Sequence, residues 1–358
     1  MMGTLGRMIS RMILARFTLI VIGVSLFVIT LEVLANVDSI LSRGEGYVSL
    51  LRYAMLRAPG IVSVFFVLAL LLSVVLTLVE LGYRNEIVPI WAAGTSPLQL
   101  FLMLAPLGVA MGLALFVLND RIVPATVRIL SEWGVGEFAS KKLNATRRGE
   151  IWMRAGPDIL RAGKADPKAT KLENVIIFRR DRTGLLTEQI HASSARKESG
   201  RWLMNNVVIY RREPVPPTRL KNMVYTGELR LASEKLRSGD PEEMPLSDLQ
   251  YFIDNMGFGL RPVHVYEVWW HRRLANLLVP LLMIAVCVPL AVRFRRGSIA
   301  VPVLLTGVTV GFTFFIFDGI SLTVGELGVV PAWLAGWLPV ILLALLTLAF
   351  HVRAQTVA

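Results

Sequence analysis

The sequence predicts an α-helical integral membrane protein, with six transmembrane helices in a 3+3 arrangement around an inserted, extracytoplasmic all-β domain. Three observations carry this prediction. The 358 residues are 54% hydrophobic and only 18% charged, the apolar residues fall into long blocks, and a polar, strand-like segment divides these blocks into two groups. With a mean hydropathy of +0.58, the chain is not a soluble globule, a disordered protein or a fibrous repeat.

Each apolar block is long enough to cross a membrane. Roughly 18–22 residues at ~1.5 Å per residue span a hydrocarbon core, and a backbone inside lipid must form its own hydrogen bonds, so each block should be a helix. The blocks are Phe17–Leu31 (continuing to Ala35), Ile61–Val79, Pro97–Leu118, Leu274–Val292, Gly297–Phe317 and Ala332–Phe350. The first block could be a signal peptide, but no small-residue cleavage site follows it, so we expect a retained helix.

Arginines in the short connecting segments predict that both termini are cytoplasmic. In this orientation the inner side holds the larger set, which is Arg7, Arg11, Arg16, Arg84, Arg293, Arg295, Arg296 and Arg353, and the outer loops hold Arg43, Arg52 and Arg57. Residues 1–120 then form helices 1–3, residues 121–273 the external domain with its return segment, and residues 274–358 helices 4–6. The net charge of +12 points first to anionic lipid, and we expect no nucleic acid partner.

The external segment has the pattern of an antiparallel β domain. Short runs rich in β-branched and aromatic residues alternate with turn signals, which favours a sandwich or an open jelly roll. The predicted strands are Ile151–Arg154, Asp158–Arg161, Asn174–Arg179, Leu185–Ala192 and Trp202–Tyr210, and a short helix is predicted over Leu246–Asn255.

The motifs of an enzyme are missing from the sequence. There is no phosphate-binding loop, zinc-binding H-E-x-x-H, C-x-x-C or G-x-S-x-G pattern, and the histidines are scattered without ligand spacing. Cys287 is the one cysteine, so it closes no disulfide within the chain. We therefore expect no catalytic residues, no metal and no bound cofactor, and energy for any work must come from a partner.

The cytoplasmic connector between helices 2 and 3, about residues 84–95, is the most informative segment. It is too polar to span a membrane but can form about two turns of helix, with Asn85 as a possible N-cap, Glu86 in the first turn and Gly94 as the C′ residue. Ile87, Ile90 and Trp91 would share a face. Such a helix could dock into a groove on a cytoplasmic protein, or it could be a membrane-surface loop with a tryptophan anchor.

Asp318 is the least expected charge within a predicted span. Carboxylates inside membranes usually face a cavity or a partner. The sequence leaves open whether Asp318 serves transport or makes an interface or helix-end hydrogen bond.

Several segments resemble the lipopolysaccharide-export permease family of the LptF/LptG type. They are Leu78–Pro97 with Glu86, the Asn119–Ala125 run, Glu267 with His271–Ala275, Pro280, Pro289-Leu290 and Arg295–Gly297, and the Pro331–Pro339 run. Leu34–Asp38 followed by Gly44–Tyr47 is similar to the G type after helix 1. The resemblance covers nearly the whole chain and implies the same architecture of three helices, a periplasmic β-jellyroll and three more helices.

The resemblance implies a transport function with a set of partners. Two related permeases, F and G, would pair in the bacterial inner membrane above a cytoplasmic ABC ATPase dimer that hydrolyses the ATP. Lipopolysaccharide would pass to the jellyroll domains and to an LptA-like periplasmic bridge, with a single-span LptC-like protein at the gate. Glu86 would contact the ATPase, and the coupling residues would be Arg84, Glu86, Ile87, Ile90, Trp91 and Gly94.

The expected lipid site lies at the outer ends of the helices. Some G-type proteins place a lysine near the end of helix 1, where this chain has Val33 and Leu34. The candidates for the substrate cavity are Asp38, Arg43, Arg52, Arg57 and Asp318, of which the arginines could equally be interfacial anchors.

Two rival functions remain at this stage. A permease of another ABC exporter would usually have four helices with the external domain after the first, which the three helices before the insert disfavour. A membrane scaffold would need neither a coupling helix nor an ATPase.

Overall fold

The chain, seen in a computed structural model, divides into two compact units. One comprises Met1–Leu130 with Glu267–Ala358 and the other comprises Ser131–Tyr266. The division therefore falls inside the predicted 121–273 segment. The structure describes residues 3–42, 46–136, 138, 151–155, 158–165, 171–181, 185–198, 201–211, 215–225, 240–254, 261–291 and 300–357.

Helices make up all of the first unit's regular structure within the described ranges. They are α1 Thr4–Ala35, α2 Val37–Leu41, α3 Tyr47–Tyr83, α4 Ile87–Ala92, α5 Pro97–Val117, a π-helix Leu118–Ile122, α6 Val123–Trp133, α8 Val263–Ala275, α9 Val279–Ala291, α10 Ala300–Glu326 and α11 Ala332–Val357, with α6 and α8 crossing the division between the units. The predicted short helix of the second unit is α7, Leu246–Asp254.

The predicted membrane spans are confirmed, except that the fourth is a bent pair of helices. Among the described residues, five helices are long and apolar enough to cross a membrane, and the pair α8 and α9, bent by 49°, makes a sixth when it is taken as one span. The chain is therefore a multi-pass membrane protein. The sequence predicted a continuous helix 4 instead of this bent pair.

Pro280 explains the bend. A proline has no N–H and its ring clashes with the carbonyl four residues before it, here that of Asn276. The chain turns over residues 276–278, where Leu277 and Leu278 donate to the carbonyls of Leu274 and Ala275, three residues back, at 3.2 and 3.0 Å. Regular helix resumes in α9, which at 13 residues covers about 20 Å and is too short to span the hydrocarbon core alone.

Two pairs of glycines allow helices to approach closely. A Cβ on Gly112 of α5 would lie 2.2 Å from the carbonyl oxygen of Leu277, and one on Gly108 would lie 2.9 Å from the Leu281 Cα. Gly307 and Gly311 of α10 meet the side chains of α3 in the same way, at Val75 and Leu71. Both pairs have the G-x-x-x-G spacing, which lets helices in lipid approach closely.

In the described part of the second unit, six strands form an antiparallel sheet, which confirms the inserted β domain. Its strands are β1 Ile151–Ala155, β2 Asp158–Ala165, β3 Lys171–Arg180, β4 Leu186–Glu198, β5 Arg201–Arg211 and β6 Thr218–Tyr225. Within the described ranges the strands lie in sequential order. Strand β6 was not predicted from the sequence, because charged and amide residues interrupt its apolar alternation. The turn signals of this segment are Ala155-Gly156-Pro157, Asp181–Gly184 and Glu198-Ser199-Gly200, and their residues 156–157, 182–184 and 199–200 lie outside the described residues.

The sheet curls so that strands distant in the order meet. Its apolar core is a single cluster drawn from β2 to β6, around Trp202, Leu160 and Ile190. The Tyr225 hydroxyl on β6 donates a buried hydrogen bond of 2.9 Å to Oδ2 of Asp158 on β2. The end of β6 therefore contacts the start of β2, although three strands separate them in the sheet. The sheet is curved enough for its core side to be enclosed.

Candidate functional site

The connector between α3 and α5 begins with a helix-ending motif. Asn85 has a φ of +56°, its N–H bonds to the Gly82 carbonyl at 3.1 Å, and the Glu86 N–H bonds to the Leu81 carbonyl at 2.9 Å. This pair of bonds is a Schellman motif with Asn85 as its C′ residue. The prediction that Asn85 is an N-cap is therefore wrong: asparagine tolerates the left-handed conformation and ends α3, so Glu86 lies before the next helix instead of in its first turn.

The helix of the connector, α4, ends as the sequence predicted. Gly94 has a φ of +80°, and the Thr95 N–H reaches the Ile90 carbonyl at 3.4 Å, as expected for a glycine at C′. Directly after it, Ser96 forms a capping box with Gln99 at the start of α5. Both ends of the connector therefore have fixed geometry.

Glu86 is exposed on this rigid connector. Among the described residues its side chain has no hydrogen-bond or ion-pair partner. Ile90 faces the other way and packs into the helix core with 8% of its surface exposed. The side chains of Ile87 and Trp91 lie outside the described part of the chain, so their predicted shared face with Ile90 stays a prediction.

A charge cluster lies immediately before the connector. Glu80 of α3 pairs with Arg16 of α1, and its other carboxylate oxygen lies 2.7 Å from Nη2 of Arg84. The four-residue spacing from Glu80 to Arg84 is visible in the sequence, but the contact with Arg16 is not. The predicted coupling residue Arg84 is thereby linked to the first span.

Arg57, a substrate candidate, is engaged within the chain. Its Nε lies 2.6 Å from Oε1 of Glu32 on α1, and the Tyr53 hydroxyl donates to the same oxygen at 2.9 Å. Asp38 in α2 and Arg52 in α3 are both exposed, and Arg43 lies outside the described residues. The structure thus brings Arg57 to Glu32, which the sequence analysis did not connect.

Asp318 forms an interhelical ion pair. Its two carboxylate oxygens accept from Nη2 and, at 3.3 Å, from Nε of Arg272 on α8. The Arg272 guanidinium also lies 4.9 Å from the centre of the Trp269 ring, whose Nε1 donates to Glu326 at 2.7 Å. This geometry favours the interface role for Asp318 that the sequence left open.

Asn119 and Arg273 meet where α5 becomes irregular. The π-helix Leu118–Ile122 follows α5 directly, and Nη1 of Arg273 donates to the Asn119 carbonyl at 2.9 Å. Ser63 of α3 donates to the Asn119 side chain. Asn119 and Arg273 lie in two of the segments that resemble the permease family, but the sequence does not connect them; the one local signal is Pro124, which lacks a helical donor.

A row of opposite charges crosses one end of the β sheet. Glu188 on β4 pairs with Arg179 on β3 at 3.1 Å and with Arg211 on β5 at 2.8 Å. The hydrogen bond from Arg211 and the charges of both arginines hold the pKa of Glu188 below its usual value, against desolvation. Burial and the bond to Asp158 raise the pKa of Tyr225. These contacts stabilise the fold of the domain.

Among the described residues, no three or more histidine, cysteine, aspartate or glutamate side chains come together as a metal site would require. Cys287 is buried in the helix core. The charged groups just described instead form ion pairs, as in Arg272 with Asp318, or groups of one carboxylate with two arginines, as around Glu80 and Glu188.

Comparison with known proteins agrees with this arrangement. A family described as lipopolysaccharide export system permease LptF/LptG matches residues 7–353. Among similar proteins, the permease protein LptG of Escherichia coli K12 is 23% identical over 333 residues, or 89% of each chain. LptG of Haemophilus influenzae is 22% identical over 360 residues, or 96% of each chain. Because the family match includes all six spans and the β insert, the chain belongs to the LptF/LptG family of lipopolysaccharide export system permeases.

Proposed function

We propose that this chain is the G-type permease subunit of an ABC transporter that extracts lipopolysaccharide from the bacterial inner membrane for export to the outer membrane. One observation carries the proposal: the family match over residues 7–353 includes both the helices and the inserted sheet. The G type is supported by LptG relatives that align along 89–96% of their length.

The connector supports coupling to a separate ATPase. Two capped helix ends hold Glu86 exposed, and Ile90 anchors the connector to the core. A rigid element of this kind transmits force better than a flexible loop. Glu86 would contact the groove of a cytoplasmic ATPase dimer, with Arg84, Ile87, Trp91 and Gly94 shaping that surface. The permease itself would bind no ATP and catalyse no reaction.

The cluster around Glu80 would carry the ATPase movement to the first span. Glu80 contacts Arg16 on α1 and Arg84 beside the connector. A displacement of the connector would therefore act on α1 as well as on α3. Rigid-body movements of packed helices are a common form of such transmission.

The exposed sides of α1 and α10 would line the lipid path with a paralogous F-type permease. Large apolar side chains cover these sides, with Leu19 74% exposed on α1 and Ile316 60% exposed on α10. An apolar cavity lowers the cost of removing acyl chains from the bilayer, which is about 0.8 kcal/mol per CH₂. Arg43, Arg52 and Asp38 remain the candidates for the polar rim of this cavity. Arg57 and Asp318 form ion pairs with Glu32 and Arg272.

The remaining partners follow from the family. The β domain would lie in the periplasm, both termini in the cytoplasm, and lipopolysaccharide would continue to an LptC-like single-span protein and an LptA-like bridge. The free edges of an antiparallel sheet can pair with another β domain.

The decisive experiment is affinity capture of the full chain from membranes. Companion chains and bound glycolipid would be identified by mass spectrometry, and the isolated complex would be tested in proteoliposomes for ATP-dependent release of lipopolysaccharide. We expect an ATPase, a second permease and lipopolysaccharide. Capture of an ATPase with a different substrate would indicate another ABC exporter, and capture without any ATPase would indicate a scaffold.

A further inference from the structure

The π-helix contains a carbonyl that its own helix cannot satisfy. Here Val123 donates to the Leu118 carbonyl, which is a bond between residues five apart. The next carbonyl, that of Asn119, would need the N–H of residue 124 in the same register. That residue is Pro124, which has no N–H.

Arg273 replaces the missing donor from another helix. Its Nη1 donates to the Asn119 carbonyl at 2.9 Å, and the residue is only 6% exposed. A guanidinium donor makes this a charge-assisted hydrogen bond, which is stronger than one between neutral groups. Ser63 on α3 holds the Asn119 side chain at the same point.

This bond joins α8 to the π-helix that continues directly into α6, and α6 and α8 are the two helices that cross between the first unit and the second. The first connecting helix, α6, continues from the π-helix and leads into the domain, and the second, α8, leads back from it. Arg272, the neighbour of Arg273, holds α8 to α10 through Asp318. The membrane end of α8 is therefore bound on two sides.

Next to this bond, regular α-helical hydrogen bonding is interrupted on the way into both connecting helices. The π-helix lacks the usual bonds between residues four apart, and α8 ends at the turn over residues 276–278 caused by Pro280. Without a cross-connection, a movement of the spans would be absorbed by bending at these two places. With it, the two connecting helices must move together.

We propose that Arg273 is a positioning residue for transport, which ties the two connecting helices so that movement of the spans reaches the β domain. The proposal rests on the function proposed above. Loss of the tie leaves ATP hydrolysis intact and reduces the lipopolysaccharide released per ATP.

Two variants distinguish the proposed role of Arg273, linking the two connecting helices, from the simpler role of supplying a hydrogen bond to the Asn119 carbonyl. Arg273→Met removes the donor and keeps the aliphatic part of the side chain. In the double variant Pro124→Ala/Arg273→Met, the N–H restored at position 124 can donate within the helix, so we expect thermal stability to recover. Release per ATP should remain about tenfold below the unmodified chain in both variants, the scale of one charge-assisted hydrogen bond.

Full release by Arg273→Met, or recovery of release in the double variant, would overturn the proposal, because Arg273 would then be only a substitute helical donor. If neither variant assembles, Arg273 is needed for folding and the transport role is likewise rejected.

A distance measurement tests the tie without any lipopolysaccharide. Spin labels at Ile129 on α6 and Trp270 on α8, in a Cys287→Ala background, should give a narrow distance distribution that broadens in both variants. An unchanged distribution would reject the tie. If the labels behave as expected but the unmodified chain releases no lipopolysaccharide, the proposed function fails while the tie stands.

Discussion

Glu32 and Arg57 form a salt bridge between the first and second spans, with Nε 2.6 Å from Oε1 and both side chains mostly buried. Glu32 also accepts from the Tyr53 hydroxyl. The chain itself therefore compensates a carboxylate that would be costly in lipid. Arg57, which from sequence could contact a lipid phosphate, has its Nε engaged by Glu32.

Breaking this pair from one side should destabilise the protein more than removing it entirely. Glu32→Gln or Arg57→Met removes one charge of the pair and leaves the other without this counter-ion, and we expect each to cost about 1–3 kcal/mol of stability. The double variant should recover part of the loss. Thermal unfolding in detergent measures all three, and strictly additive effects would show that the two residues are not coupled.

Glu86→Ala should separate ATP hydrolysis from transport. Glu86 is exposed and makes no side-chain bond among the described residues, so the fold should be unaffected. We expect ATP-driven lipopolysaccharide release from proteoliposomes to fall by about tenfold or more, the scale of one lost charged contact. Glu198→Ala, which removes another exposed carboxylate, is the matched control. Normal release by the Glu86 variant would argue against the coupling role.

Gly112→Ala should weaken the packing of α5 against the bend before α9. The new Cβ would lie 2.2 Å from the Leu277 oxygen, and overpacking of this kind typically costs about 1–3 kcal/mol. Gly319→Ala is the control, since its added Cβ would meet no atom of the described residues within 4 Å beyond its own stretch of helix and alanine favours a helix. Equal melting temperatures for the two variants would contradict the close contact.

Glu188→Gln should destabilise the β domain at neutral pH and have little effect in acid. The pKa of Glu188 lies below its usual value of 4.5 in the folded domain because Arg211 and Arg179 hold the ionised form. Its stabilisation is therefore present above about pH 4.5 and lost as the pH falls through the folded-state pKa. Hydrogen exchange of β4 and β5 peptides at pH 7 and in acid measures the difference. Glu198→Gln, in an exposed position on the same strand, should change the hydrogen exchange at neither pH. An effect of Glu188→Gln that persists in acid would reject the ion-pair explanation.

Local sequence was sufficient where a single residue decides the backbone. Gly94 ended α4 as predicted because few other residues adopt a positive φ without strain. Asn85 was misassigned because asparagine is favourable both as an N-cap and in the left-handed conformation. Only the bonds to Leu81 and Gly82 distinguish the two roles.

The sequence by itself determined the six apolar spans, the inserted β domain and the family, because these depend on hydrophobicity, strand pattern and motif order along the chain. The tertiary structure alone decided which charges meet. Arg57 could have faced a lipid phosphate, but Glu32, 25 residues away, neutralises it. Arg273 reaches a carbonyl 154 residues away. A charge or an orphaned carbonyl inside a membrane protein must find a partner, and only the packing of the helices determines which one is near.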